Sequence, residues 1–299
     1  MTIPVQHLSS VEQTALFPLY YRALESQRPD GLLQDRKAVE LINQIDYDFA
    51  KLKIQSFVQV AVLLRARQFD IRTRDFLTRH PDGVVVSVGC GLDTRFDRVD
   101  NGRVEWYDLD LPELIAVRRP LIPETPRSHL LGYSVLDPVW MDGIGKRAGR
   151  SLLVIAEAVF PFLRGEDVKR LVLTLTQRFP GTELVFDAMS PLLVKIQNLV
   201  FWRSGMEVRL QWGLSHSREL EAWHPGIQLL SEWNYFEQPE PRLGSARLLR
   251  YVPIFSKGTQ ILQYRLGNGA REEEPPTIQV KPTSRRSSVG SRLEAAWAL

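Results

Sequence analysis

Apolar positions along the chain change their period once. From residue 11 to 80 they recur at helical spacing, Leu52, Val60, Leu63 and Leu64 among them, and Gln34-Asp35 suits a helix start, so this stretch reads as mostly helical. From residue 84 onward short β-branched runs take over. Segments 84–88, 103–107, 129–134, 151–156 and 182–187 read as strands, with helices near 92–98, 112–118 and 166–179 between them. In the last of these helices Val168, Leu171, Val172, Leu175 and Phe179 form one apolar stripe. Such alternation predicts right-handed crossovers around a central, mostly parallel sheet. Segments 227–235 and 258–266 read as two later strands.

The first strand breaks into Gly89-Cys90-Gly91 before Leu92-Asp93-Thr94-Arg95, residues suited to opening a helix. Glycines at such a turn allow a sharp bend and a close approach of backbone to ligand, so Gly89, Cys90 and Gly91 are expected to meet an adenosine-containing molecule. The second strand leads into two carboxylates, Asp108 and Asp110, about 20 residues downstream, where a ribose hydroxyl pair would be held. Residues two apart on a strand point the same way, so both are expected to face the site. A dinucleotide fold and a methyltransferase fold share this layout and part at the third glycine. Thr94 occupies that position and leaves a pyrophosphate little room, whereas S-adenosylmethionine carries no phosphate. A nicotinamide oxidoreductase is disfavoured on that ground.

Composition narrows the class. The 299 residues are 44% hydrophobic, enough for a large core in one α/β domain. A net charge of +3 implies no basic nucleic-acid face. No apolar run reaches the ~18 residues of a membrane span, and the N-terminus lacks the regions of a secretory signal, so a cytoplasmic protein without a membrane partner is expected. The single cysteine, Cys90, excludes an intrachain disulfide; between two glycines it suits a small residue packed beneath a cofactor better than a reactive thiol. Five histidines without ligand spacing predict no metal. Residues 269–299, rich in Pro, Ser, Arg and Glu, read as a disordered tail after a domain spanning 1–268, and Ser284-Arg-Arg-Ser287-Ser288 within it as a solvated run.

Four segments carry a resemblance to a known family. Val84 to Val99, Trp106-Tyr-Asp-Leu-Asp-Leu-Pro112, Ser134-Val-Leu-Asp-Pro-Val-Trp140 and Ile155-Ala-Glu157-Ala-Val-Phe-Pro-Phe162 resemble successive motifs of the leucine carboxyl methyltransferase superfamily. With Thr14 to Arg22, Leu64 to Asp70 and Trp212 to Gly226, the chain is most similar to the polyketide O-methyltransferase branch, from about residue 10 to about residue 268. The resemblance implies an α/β fold, a Rossmann-like class I methyltransferase sheet with an N-terminal helical preface and an antiparallel edge. It also implies S-adenosyl-L-methionine as methyl donor and, as acceptor, a carboxyl or hydroxyl oxygen of a small aromatic or polyketide-like molecule.

Carried over residue by residue, the resemblance implies that Arg65 pairs with the methionyl carboxylate, a group its guanidinium fork suits. It implies that Asp110, ahead of its neighbour Asp108, binds the ribose, and that Asp137 or the Ser134-Val135-Leu136 backbone meets the adenine. Glu157, ending the fourth strand, would stand near the donor's amino group.

Two departures bear on the acceptor. Ala158 stands where the family has glycine, and Phe162 where it usually has tyrosine. If that tyrosine orients a carboxylate in members that act on proteins, its loss counts against a protein C-terminal carboxyl group as substrate. A carboxylate is already ionised at neutral pH, whereas a phenol of pKa about 10 benefits from a base. The candidate bases are His216 and His224, in the region from which the family builds its acceptor pocket, with Trp202, Trp212, Trp223, Trp233 and Tyr235 as possible walls for a planar acceptor. Methyl-ester formation is the favoured reading. A repurposed, noncatalytic donor-binding protein is the remaining rival, because cofactor motifs outlast a change of chemistry.

Overall fold

Every residue of the strand Val84–Val88 is buried, and its side chains divide between two cores. Val84, Val86 and Val88 join one cluster, and Val85 joins another on the opposite face. A strand covered on both sides loses the usual polar alternation and reads as an unbroken apolar run. In this computed structural model residues 2–5, 14–52, 56–145, 149–203, 205, 207–235 and 240–267 are described. All of them fall in a unit running from Met1 to Gly269. The predicted disordered tail, 269–299, lies outside the described residues.

Taking the strands of the main sheet in chain order, β1 is Val84–Val88, β2 Glu105–Asp110, β3 Ser128–Gly132, β4 Leu152–Ala156, β5 Thr182–Met189, β6 Gln228–Asn234 and β7 Thr259–Leu266. They form a seven-stranded sheet in the order β3-β2-β1-β4-β5-β7-β6. The first five are parallel, and β7 runs antiparallel to both β5 and β6. The chain therefore reverses its direction of travel across the sheet at β1, with β2 on one side and β4 on the other. Ligands of open α/β sheets gather at such a switch point, beyond the carboxyl ends of the strands.

Among the described residues the α-helices longer than four residues are α1 Leu16–Ser26, α2 Arg36–Ile42, α3 Ser56–Arg79, α4 Arg95–Val99, α5 Pro112–Leu121, α6 Val139–Gly145, α7 Gly165–Arg178 and α8 Pro191–Arg203. Asp35 caps α2 through its side chain, which accepts from Ala38 N at 2.9 Å, as the Gln34-Asp35 reading required. The α7 stripe packs on one sheet face, with Val168, Leu171, Val172 and Leu175 buried and Phe179 partly so. On the other face α3 contributes Val60, Leu64, Phe69, Phe76 and Leu77.

The predicted helical stretch is broken. A two-residue parallel ladder joins Ile3–Pro4 to Ile45–Asp46, and Leu52 ends a short 3-10 turn instead of lying on a helix. The helix expected near 92–98 shrinks to the five residues of α4, because the turn before it runs on to Thr94. Neither α6 nor α8 was visible in the apolar pattern. On α8 the reason is physical: Leu192, Ile196, Leu199, Val200 and Trp202 are exposed, so its apolar residues mark no single buried stripe. Among the described residues no helix is long and apolar enough to cross a membrane.

Candidate functional site

A cavity of about 290 Å³ opens beyond the carboxyl ends of β1, β2, β3 and β4, with α1 across one side. Of the residues singled out in the sequence, Arg65, Gly89, Cys90, Gly91, Asp110, Ser134 and Glu157 line it.

The floor is the turn after β1. Gly89 and Gly91 both take left-handed backbone, at φ +61° and +52°. A Cβ on Gly89 would overlap Val159 Cγ2, and one on Gly91 would lie 3.1 Å from Ala15 Cβ. Both positions thus require glycine for conformation and for space. The turn is tied from below. Arg118, fully buried on α5, donates to the carbonyls of Gly91 at 3.0 Å and Asp93 at 2.7 Å, and pairs with Asp108. Arg22 on α1 donates to the Leu92 carbonyl at 2.9 Å.

This pairing overturns the expectation that both β2 carboxylates face the ligand. Asp108 does not line the cavity; it is buried under the turn, bound to Arg118 and to Trp106 Nε1 at 2.8 Å. Only Asp110 reaches the opening, its Oδ2 accepting from Gly91 N at 2.7 Å and its Oδ1 from Leu111 N at 2.8 Å. The strand period places the two side chains on one face, but the glycine turn covers the first of them. Cys90 is buried in the lining beside Ile115 and Leu130, and burial pushes its thiol well above the ordinary range, which agrees with a packing role.

One wall is ionic. Glu157 Oε1 accepts from Arg65 Nε at 2.8 Å and its Oε2 from Arg95 Nη2 at 2.6 Å. Arg65 Nη1 lies 3.5 Å from Asp187 Oδ2, and Arg95 also pairs with Asp70 at 2.8 Å and Asp93 at 2.7 Å. Burial works against the Arg65 charge, but Glu157 and Asp187 outweigh it and hold the guanidinium protonated. The opposite wall is less polar: Leu111, Leu114, Tyr133 and Val135. An apolar end is built from Ala15 and Pro18, at the start of α1, with Val159, Phe162 and Leu163 after β4.

Three further expectations fail on position. Asp137 is exposed and accepts from Val139 N at 3.0 Å at the start of α6, so of the two adenine alternatives only the Ser134-Val135 segment lines the cavity. His216 is exposed, and His224 Nδ1 accepts from Gly226 N at 3.0 Å within its own turn; neither reaches the cavity. The proposed aromatic walls lie elsewhere. Trp212 packs on Phe160 and Phe186 in the core, Trp233 and Tyr235 are buried together, Trp223 is partly buried against the core, and Trp202 is 75% exposed. Conversely, sequence reasoning assigned no role to Arg22, Asp93, Arg95 or Asp187. Asp93 and Arg95 stand inside the glycine motif, which was the one available signal.

A doubly wound sheet with an antiparallel final pair, and a glycine turn and strand-end acid at its switch point, defines the Rossmann-like methyltransferase class. A model of the family described as leucine carboxyl methyltransferase matches residues 15–176, and the chain belongs to that family. It is 33% identical over 233 residues to "Tetracenomycin polyketide synthesis O-methyltransferase TcmP" of Streptomyces glaucescens, covering 78% of this chain and 86% of the relative. It is 28% identical over 280 residues to the S-adenosyl-L-methionine-dependent methyltransferase dpfgK of Gibberella zeae, covering 85% and 93%. Among solved structures, a duf574 family protein from Streptomyces avermitilis shares the fold at TM-score 0.51 and 15% identity, over 84% of this chain and 96% of that one.

The methyl donor is therefore S-adenosylmethionine, and the lining fits it. The donor has no phosphate, and α4 is too short to offer a phosphate cradle. It carries a diol, for which Asp110 is a carboxylate in the lining, and a zwitterionic methionyl end, which an arginine and carboxylate wall can match.

Proposed function

We propose that the protein transfers a methyl group from S-adenosylmethionine to a carboxylate oxygen of a small aromatic or polyketide-like acceptor, in the cytoplasm. The relationship to a polyketide O-methyltransferase supports the acceptor class. In this reading Asp110 accepts from the ribose hydroxyls, and Tyr133, Ser134 and Val135 flank the adenine. Gly89, Cys90 and Gly91 bring backbone up to the donor, and Arg65 with Glu157 receives the methionyl carboxylate and ammonium. The bound donor supplies an electrophilic sulfonium methyl. The protein's part is to hold the acceptor oxygen in line with it and exclude water. The end formed by Ala15, Pro18, Phe162 and Leu163 suits an apolar ring.

One observation carries the choice of oxygen. Among the described residues no histidine lines the cavity, and of its three carboxylates Asp93 and Glu157 are paired with arginines while Asp110 accepts from the Gly91 and Leu111 amides. An acceptor that needs no base fits such a lining. The test is an assay with labelled donor against paired aromatic acids and phenols. The expected product is a methyl ester cleaved by mild alkali, with a rate that stays flat above about pH 6 because the acceptor is already ionised. An alkali-resistant ether, formed at a rate rising through about pH 6 to 7, would show that a base acts after all.

A further inference from the structure

The turn after β4 repeats the conformation of the glycine turn without its glycine. Ala158 takes left-handed backbone at φ +56°, the only non-glycine with positive φ among the described residues. A Cβ is crowded in that region, and the conformation persists only where its surroundings impose it. The imposing group lies 29 residues away on β5, where Asp187 Oδ1 accepts from Ala158 N at 2.6 Å. Asp187 is buried, and its Oδ2 faces Arg65 Nη1 at 3.5 Å.

Three consequences meet at this turn. Glu157 precedes Ala158, so the turn aims its carboxylate between Arg65 and Arg95. Val159 follows, and its Cγ2 fills the space that a side chain on Gly89 would occupy. Phe162 closes the same short segment, Phe162 N donating to Val159 O at 3.0 Å, and lines the cavity. A single buried carboxylate on β5 thereby connects to the ionic wall, the glycine turn and the apolar end.

We infer that Asp187 is a positioning residue for the donor site: by holding the Ala158 amide it keeps the post-β4 turn left-handed, and so fixes where Glu157 and Val159 stand. The inference rests on the donor reading given above. Asp187 matters because residue 158 has a Cβ, and glycine there removes most of the need for it.

The experiment measures S-adenosylhomocysteine affinity by calorimetry for Asp187→Ala and Asp187→Asn, each with Ala158 and with Ala158→Gly. Losing a buried hydrogen bond to a charged acceptor should weaken binding about tenfold or more in D187A, while D187N, which keeps an acceptor oxygen, stays within about threefold. In the A158G background the D187A loss should shrink to under about threefold. An equal loss in both backgrounds would overturn the inference, because a plain electrostatic role would not depend on residue 158. D187N as damaged as D187A would overturn it too. Should D187A not fold, amide hydrogen exchange of the wild type decides: a protected Ala158 amide supports the bond, and exchange at the unprotected rate sinks it. A wild type that fails to bind S-adenosylhomocysteine overturns the donor reading and this inference together, an outcome distinct from any of the others.

Discussion

Two turns lie side by side at the mouth of the cavity, after the paired strands β1 and β4, each starting with left-handed backbone, and they reach it by different means. The turn after β1 uses Gly89 and Gly91, residues that adopt positive φ without cost, and Arg118 and Arg22 tie its carbonyls from below. The turn after β4 uses Ala158, whose conformation depends on one carboxylate donated by another strand. Local sequence encodes the first and tertiary contact the second. The contrast is open to perturbation from either side.

The largest effect is expected beneath the glycine turn. Arg118→Met removes the cation paired with Asp108 and leaves a buried carboxylate with the Trp106 Nε1 hydrogen bond but no opposite charge, at a cost of about 3–5 kcal/mol. Equilibrium unfolding in denaturant measures it. A loss below about 1 kcal/mol would mean that Asp108 finds water or simply stays protonated, and that the turn does not hang on the pair.

Next come substitutions of the turn itself. Gly89→Ala must adopt positive φ and push aside Val159, which together should cost about 2–4 kcal/mol and weaken S-adenosylhomocysteine binding in step. If the variant binds as tightly as the wild type, the two turns are not in register through Val159, and the contrast loses its link.

Acidity should act on the two turns with opposite sign. Burial opposes ionisation of Asp70 and Asp93, but neighbouring arginines, Arg98 and Arg95, win and hold both carboxyls below their ordinary range. A lowered folded pKa contributes stability that is present above the unfolded value, near 4, and lost as pH falls through the folded one. Burial dominates for Asp187 and raises its pKa. Its contribution is fully present below the unfolded value and fades as pH rises through the folded one. Between pH 7 and 3, the stability advantage of wild type over Asp70→Asn should therefore shrink, and its advantage over Asp187→Asn should grow. Parallel trends in a pH series of urea titrations would contradict this.

What was legible in the sequence follows the same division. The strands from Val84 onward, the α7 stripe and the Asp35 cap are local signals, written in spacing and in one side chain's reach to its own backbone. The strand β2, expected at 103–107 and leading into Asp108 and Asp110, runs to Asp110, where Arg118 and Trp106 bind the first carboxylate and the Gly91 amide the second, partners that strand spacing does not show. Bonds such as Asp187 to Ala158, or Arg95 to Glu157 across 62 residues, leave no periodic trace. The departure of Ala158 from the family's glycine was visible, but what compensates for it was not. For His216 and His224 the error ran the other way, since residue type suggested chemistry that position denies.

The smallest effect is the most discriminating, because it inverts the usual sense of a glycine substitution. Ala158→Gly gives up backbone rigidity, which costs about 0.5–1 kcal/mol where φ is ordinary. At φ +56° it also relieves a Cβ clash worth about 1–2 kcal/mol. The second effect wins, so the variant should be more stable by about 0.5–1 kcal/mol, readable as a small rise in Tm of a few degrees at most. The mirror change at Gly89 destabilises. Glycine is thus favoured over alanine at both positions, and the turns differ in that only residue 158 carries the Cβ strain that the Asp187 bond must offset. A lower Tm for Ala158→Gly would mean that the alanine side chain gains more from its packing than it loses to strain, and the two turns would then be alike in being held by their own residues.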